Sequence, residues 1–223
     1  MFVVRGTTLD FSGLSADVEV GYDTYEAAVD ACAKWAATHG WLDATPGGEL
    51  AADYLKGFSP TATEIVASLG EVPGAVICPV GNGTTLSSIH TGFERLGTDL
   101  IPRHYGVTVR CNPFVSAGKS VTPSDWESEP LRSARPLDMR TTQHAVSMSA
   151  GRFVAVTRGG LLRSARHLVI DEGLACHPAS AAAIAGLDQL RRTGDILPDE
   201  LLVAIVTTRD RPDACCPLKG RTW

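Results

Sequence analysis

The sequence AVICPVGNGTTLSS, residues 75–88, joins two different patterns at a turn of small residues. Residues 75–80 form a continuous apolar run, which predicts a buried β-strand. The residues after the turn predict a helix over positions 86–96. The turn itself, residues 81–85, therefore lies where a strand ends and a helix begins.

A glycine-bearing turn in this position has the features of an anion-binding site. Glycine lets a ligand approach the backbone closely, and a helix N-terminus offers free N–H groups and the positive end of its dipole. The hydroxyls of Thr84 and Thr85 can add two donors. The turn suits a phosphate monoester, although a plain tight turn also explains these residues taken alone. It matches neither the Walker loop nor the Gly-x-Gly-x-x-Gly motif.

Strand and helix patterns alternate along the rest of the chain, and a capping-box pattern at residues 23–26 starts the first helix. This order predicts an α/β fold, a doubly wound parallel sheet with helices on both faces. Ligands bind such sheets beyond the carboxyl ends of the strands, which makes the turns at residues 81–85 and 207–209 the candidate sites. The region 112–150 has little pattern and predicts long loops with short elements. Further strands are predicted at residues 105–109, 153–157 and 202–207, and further helices at residues 59–69, 161–170 and 178–192.

Composition excludes several classes of function. The 223 residues carry a net charge of −5 with both signs interspersed, so no basic stripe indicates nucleic-acid binding. No apolar run reaches the length of a membrane-spanning helix, and the N-terminal residues do not resemble a signal peptide. Six cysteines and six histidines show neither metal-ligand spacing nor a disulfide pattern. The sequence therefore predicts no metal site, no membrane or nucleic-acid partner, and a reducing, cytoplasmic location.

Longer segments carry a resemblance to a known family. The segment EIVASLGEVPGAVICPVGNGTTLSSIHTGFERLG contains the glycine turn, and GYDTYEAAVDACAKWAATHGWLDATP and GFSPTATEI precede or overlap its start. DEGLACHPASAAAIAGLDQL and LLVAIVTTRD follow it. In this order, over roughly residues 17–210, they resemble segments of threonine synthase and, more broadly, of the fold-type II enzymes that depend on pyridoxal phosphate.

The resemblance implies roles for particular residues. Thr207 would hydrogen-bond the pyridine nitrogen of pyridoxal 5′-phosphate, and a neutral hydroxyl there suits β- or γ-elimination and replacement chemistry. The sequence departs from the family pattern at Thr208, where glycine is usual, and at His177, where an acidic residue is common. The residues that would wrap the cofactor phosphate are Gly81, Asn82, Gly83, Thr84 and Thr85.

The lysine that such an enzyme needs is not evident in this chain. In the family it bonds covalently to the cofactor and lies in a serine–x–lysine–aspartate-like context. Lys34, Lys56, Lys119 and Lys219 all lack that context. Lys119, in VSAGKS, also lacks the companion residues of a Walker loop and of the β-lactamase nucleophile motif. No catalytic residue is therefore assigned to this chain.

The resemblance implies that the chain has two parts and corresponds to the C-terminal two-thirds of the family's length. Residues 1–40 would be a remnant of the family's small domain, and residues 41–223 the large, incomplete domain that binds the cofactor phosphate. The expected function is one subunit of a two-chain threonine synthase-like enzyme, a hetero-oligomer acting on a small amino acid. A partner chain would carry the N-terminal portion with the Schiff-base lysine. The alternative is a non-catalytic pseudoenzyme or scaffold that binds cofactor or a partner enzyme.

Overall fold

The structure, a computed structural model, describes residues 2–4, 18–116 and 127–208. Short 3-10 helices occupy Glu129–Leu131 and Pro178–Ala181. The strands are β1 (Phe2–Val4), β2 (Glu19–Tyr22), β3 (Ala75–Pro79), β4 (Arg103–Val109), β5 (Arg152–Val156) and β6 (Leu202–Ala204). The α-helices are α1 (Tyr25–His39), α2 (Ala51–Phe58), α3 (Pro60–Leu69), α4 (Thr84–Arg95), α5 (Met139–Met148), α6 (Arg158–Glu172) and α7 (Ala182–Arg192).

Four strands form a parallel sheet in the order β5-β4-β3-β6, while β1 and β2 pair separately. The chain moves outward from β3 to β4 to β5, and then returns to place β6 on the other side of β3. The strand order therefore reverses between β3 and β6, and their carboxyl ends lie side by side. Ligand sites of open α/β sheets lie at such switch points.

Both faces of this sheet are covered, as expected for parallel strands whose residues are buried on both sides. Every residue of β3 is buried. Ala75 and Ile77 belong to one apolar cluster with residues of α7, and Val76 and Cys78 belong to clusters on the other face with residues of α3, α4 and α5. The predicted doubly wound α/β sheet is confirmed.

Arginines at the first positions of β4 and β5 tie down the segment that leads into β6. Arg152 donates to both carboxylate oxygens of Asp195, over 2.9 Å and 2.7 Å. Arg103 donates to the backbone carbonyl of Asp195 over 2.6 Å and pairs with Glu200. Arg152 and Thr193 hold the pKa of the Asp195 carboxyl at about 2, below its usual 3.8.

Two buried histidines lie between α4 and the sheet. The His90 and His104 rings are perpendicular, with centroids 5.0 Å apart, and His90 Nε2 lies 3.5 Å from Glu94 Oε1. Burial lowers the pKa of His104 to about 3, and it lowers the pKa of His90 as well. His104 is thus neutral in the folded protein at ordinary pH.

The structure corrects the sequence prediction in three places. The first helix is capped by Thr24, whose side chain accepts from Ala27 N, so the expected capping box at residues 23–26 does not form. Glu26 instead accepts from the backbone N–H of Ala134. Helix α2 lies in a stretch for which the sequence pattern predicted no helix, and α5 lies in a region expected to be mostly loop.

Candidate functional site

A pocket of about 450 Å³ lies beyond the carboxyl ends of β3 and β6, at the switch point of the sheet. One wall is the turn after β3, and another is the 3-10 helix before α7 together with the residue preceding it. The segment after β6 and the short helix at Glu129–Leu131 supply the remainder. All six residues predicted to bind the cofactor line this pocket. The lining residues are Pro79, Gly81, Asn82, Gly83, Thr84, Thr85, Pro130, Leu131, His177, Ala179, Ser180, Thr207 and Thr208.

The backbone of the turn requires glycine at two positions. Gly83 immediately precedes α4 and has φ of +101°, a conformation that side chains disfavour. A Cβ at Gly83 would overlap the side chain of Thr142, and one at Gly81 would overlap the carbonyl oxygen of Pro130. No side chain caps α4. The N–H groups of its first turn, which lack intrahelical partners, are therefore suited to binding an anion.

Asn82 anchors the turn to two other segments. Its side-chain oxygen accepts from Leu137 N over 3.3 Å, and its backbone carbonyl accepts from Asp138 N over 3.2 Å. Its amide nitrogen lies 3.5 Å from the hydroxyl of Tyr25, whose pKa is raised by burial. The Asn82 side chain therefore holds the turn in place through protein contacts.

The two threonine hydroxyls of the turn have different surroundings. Thr84 donates its hydroxyl proton to the buried carboxylate of Asp138. Thr85 makes no side-chain hydrogen bond within the described part of the chain, and it lines the pocket. The backbone N–H groups and Thr85 are thus the donors left for a phosphate, and the predicted phosphate role of the turn stays a prediction.

Thr207 has a partner that the sequence analysis did not identify. Its hydroxyl oxygen lies 3.1 Å from Ser180 Oγ, and either group can donate. Ser180 is buried at the start of the segment leading into α7. The sequence PASA at residues 178–181, which resembles a helix start of the family, is the pattern from which Ser180 could have been identified. The pair allows Thr207 to accept from Ser180 while it donates into the pocket.

His177 caps the same 3-10 helix from the pocket wall. Its Nδ1 accepts from Ala179 N over 3.2 Å, so the ring proton of the neutral form lies on Nε2. This is the position where the family commonly has an acidic residue. The substitution preserves a helix-capping acceptor while replacing a charged side chain with one that can be neutral.

The pocket has no cationic side chain among its described lining residues. Lys34 is exposed on α1, and Lys56 is exposed on α2, where it pairs with Asp53. Lys119 and Lys219 lie outside the described residues. The lysine of a complete cofactor site is therefore not found in the pocket as the structure describes it.

Neither a metal centre nor a membrane-spanning helix is found in the described part of the chain. Across residues 18–116 and 127–208, no group of three or more histidine, cysteine, aspartate or glutamate side chains is placed to hold a metal ion. No described helix combines the length and apolar character needed to cross a membrane.

Curated relatives agree with the sequence resemblance. The chain is 30% identical to the threonine synthase of Synechocystis sp. over 171 residues, which cover 74% of this chain and 44% of that protein. It is 32% identical to the threonine synthase of Methanosarcina acetivorans over 166 residues, or 69% of this chain and 41% of that protein. The chain thus spans less than half the length of these relatives.

The fold agrees with that of a longer solved structure. The processed form of threonine deaminase isoform 2 from Solanum lycopersicum superposes with a TM-score of 0.66 at 20% identity, covering 89% of this chain and 57% of that one. The family model "Pyridoxal-phosphate dependent enzyme" matches residues 10–208. The predicted family, fold and family cofactor are confirmed. The chain belongs to the pyridoxal-phosphate-dependent enzyme family.

Proposed function

We propose that this chain is one subunit of a two-chain, threonine synthase-like enzyme that carries out β- or γ-elimination or replacement on an amino acid. The observation that carries the proposal is the pocket at the switch point, where the glycine turn and Thr207 come together with no described lysine beside them. The chain holds the phosphate and the ring nitrogen, and its partner supplies the lysine.

The residues present fit the phosphate and ring ends of pyridoxal phosphate. The turn after β3 offers the uncapped N–H groups of the first turn of α4, and it contains two glycines, Gly81 and Gly83, at which a Cβ would not fit. Thr207 offers a hydroxyl whose geometry is fixed by Ser180. Bound pyridoxal phosphate would withdraw electrons from the substrate carbon framework, which allows loss or exchange of a β or γ substituent.

The type of reaction follows from the group at the ring nitrogen. A neutral hydroxyl, unlike a carboxylate, does not favour protonation of the ring. Thr207 and Ser180 are both neutral, and no acidic side chain is among the described residues that line the pocket. The weaker electron withdrawal that results suits elimination and replacement, and threonine synthase is the name of the curated relatives.

A partner chain is the simplest source of the missing lysine. The protein would be combined with the product of the neighbouring reading frame and with pyridoxal phosphate. We expect the visible absorbance of covalently held cofactor only in the mixture. Borohydride reduction followed by mass spectrometry would then place the cofactor on a lysine of the partner.

A variant of this chain with arginine at positions 34, 56, 119 and 219 is the matched control, since it retains the positive charges but cannot bond to the cofactor. It should support the same absorbance in the mixture. Cofactor trapped on a lysine of this chain alone, with loss of the signal in the control variant, would refute the two-chain arrangement.

The second candidate is a non-catalytic binding protein or scaffold, favoured by the absence of lysine from the described pocket lining and by His177 at a commonly acidic position. It predicts binding of a phosphate-bearing cofactor analogue with no turnover beside any partner. The cytoplasmic location also remains a proposal, supported by cysteines of the described chain that form no disulfide with one another.

A further inference from the structure

Asn112 lies just beyond β4, beside the pocket but outside its lining. It is fully buried, and its side-chain amide is used on both sides. The amide nitrogen donates to Gly81 O over 3.0 Å and to Leu131 O over 2.9 Å. The amide oxygen accepts from Phe114 N over 3.1 Å. Three backbone groups from three segments thus depend on one side chain.

Two of these partners belong to different segments of the pocket lining. Gly81 opens the turn that would hold the phosphate, and Leu131 belongs to the short helix at Glu129–Leu131 that packs beside it. The two segments already lie close together, because a Cβ at Gly81 would overlap Pro130 O. A single amide group that donates to both carbonyls fixes the spacing and the orientation of the Gly81 peptide.

We propose that Asn112 is a positioning residue that aims the backbone N–H groups of the turn at the phosphate of the bound cofactor. The inference rests on the proposed function. Rotation of the Gly81 peptide would redirect the N–H groups that follow it, and the Asn112 donor to Gly81 O prevents that rotation. Its action is exerted through the backbone, since it does not line the pocket.

Asparagine suits this place for a chemical reason. Carbonyl oxygens need donors, and the amide NH₂ supplies two in a fixed plane. An aspartate has the same shape and keeps the acceptor for Phe114 N, but it would turn a carboxylate oxygen toward two carbonyl oxygens. Asn112→Asp therefore removes the two donations and also buries a negative charge beside the two carbonyl oxygens, so a neutral variant is needed beside it.

The test is a calorimetric titration with pyridoxine 5′-phosphate, an analogue that lacks the aldehyde and cannot bond to lysine. Inorganic phosphate and pyridoxine, which lacks the phosphate, are titrated in parallel. We expect Asn112→Asp to weaken both phosphate-bearing ligands about tenfold, because the loss of aligned donors costs on the order of one or two hydrogen bonds. Pyridoxine binding should not change.

Thr108→Val is the matched control. Thr108 is also fully buried and donates its hydroxyl to the same Leu131 carbonyl over 3.2 Å, but it makes no hydrogen bond to the turn. Its substitution removes a buried hydrogen bond to the same wall, and phosphate affinity should stay within about twofold of wild type. An equal loss in both variants would show that Asn112 acts through general stability and would overturn the inference.

Two further comparisons distinguish a failure of the positioning role from a folding defect and from a failure of the proposed cofactor site. Asn112→Leu, which removes the two donations without adding a charge, is titrated in parallel and replaces Asn112→Asp if that variant does not fold; wild-type affinity in Asn112→Leu contradicts the proposal. If wild type binds no phosphate-bearing ligand, even beside the partner, the proposed cofactor site fails. If wild type binds and Asn112→Asp binds equally well, only the positioning role fails.

Discussion

Gly83 combines backbone strain with close packing, and these two effects can be separated by substitution. Alanine there must adopt φ of +101° and place its Cβ against Thr142. Alanine at Gly97 must adopt φ of +67°, but no atom lies within 4 Å of its Cβ. The two positions thus share the strained backbone and differ in the space available.

We expect Gly83→Ala to lower the free energy of unfolding by about 2–4 kcal/mol and Gly97→Ala to lower it by about 1 kcal/mol. Urea unfolding would measure both. Pyridoxine 5′-phosphate binding should be lost in Gly83→Ala and kept in Gly97→Ala. Unchanged binding in Gly83→Ala would show that the turn does not hold the phosphate.

The residue scale also shows where sequence reasoning reached its limit. Gly81, Gly83 and Thr207 could be assigned because the turn and the final strand carry recognisable patterns. The partners of the turn could not, because Asp138 and Asn112 approach it from segments that are distant along the chain. The Thr84 hydroxyl, which the sequence analysis assigned to the phosphate, donates to the Asp138 carboxylate. This contact could not be predicted, because Asp138 is distant from Thr84 along the chain.

At the scale of elements, the segment before β6 is held by charge. Asp195 accepts two bonds from Arg152 at the start of β5, and its carboxylate pKa is depressed to about 2. A carboxylate with a lowered pKa stabilises the folded state above its unfolded pKa of 3.8, and this contribution is lost as the pH falls toward 2.

Asp195→Asn should therefore lower the free energy of unfolding at pH 7 by about 1–2 kcal/mol, allowing for partial solvent screening of the pair. The difference from wild type should shrink between pH 4 and about 2. Asp53→Asn, in the exposed pair with Lys56, is the control and should change stability by less than about 0.5 kcal/mol. A difference that is constant with pH would contradict the assignment.

Some helices and strands could be predicted from the sequence and others could not, and burial and capping explain the difference. Strands β3 and β4 are apolar because they are buried on both faces of the sheet, and α4 has an apolar face that packs on it. Helix α2 is eight residues long, contains Gly57 and has no side-chain cap, so its start and its end are not marked in the sequence. It forms in contact with α4, which is a tertiary effect that local pattern does not report.

At the scale of the whole molecule, the buried histidines predict sensitivity to acid. His104 stays neutral in the folded protein down to about pH 3 but takes a proton near pH 6.5 once unfolded. The unfolded state then binds more protons, so stability falls as the pH is lowered from 6.5 toward 3. His90, whose pKa is lowered by burial despite Glu94 nearby, adds in the same direction.

His104→Leu should reduce the slope of unfolding free energy against pH by about 1.4 kcal/mol per pH unit over that range. Urea titrations at closely spaced pH values would measure the slope. His167→Gln, at an exposed side chain paired with Asp171, is the control and should leave the slope nearly unchanged. An unaltered slope in His104→Leu would mean that His104 is protonated in the folded protein.

The strand order also has a consequence for synthesis of the protein on the ribosome. The parallel pairing of Ile77 with Ala204 joins residues that leave the ribosome on the order of 10 s apart at ordinary elongation rates. Until β6 has been synthesised, the edge of β3 that pairs with it has no partner strand, and Thr207 is not yet beside the glycine turn. The pocket at the switch point can therefore form only after residue 207 has left the ribosome, and binding of a phosphate-bearing ligand there would report that β6 has paired with β3.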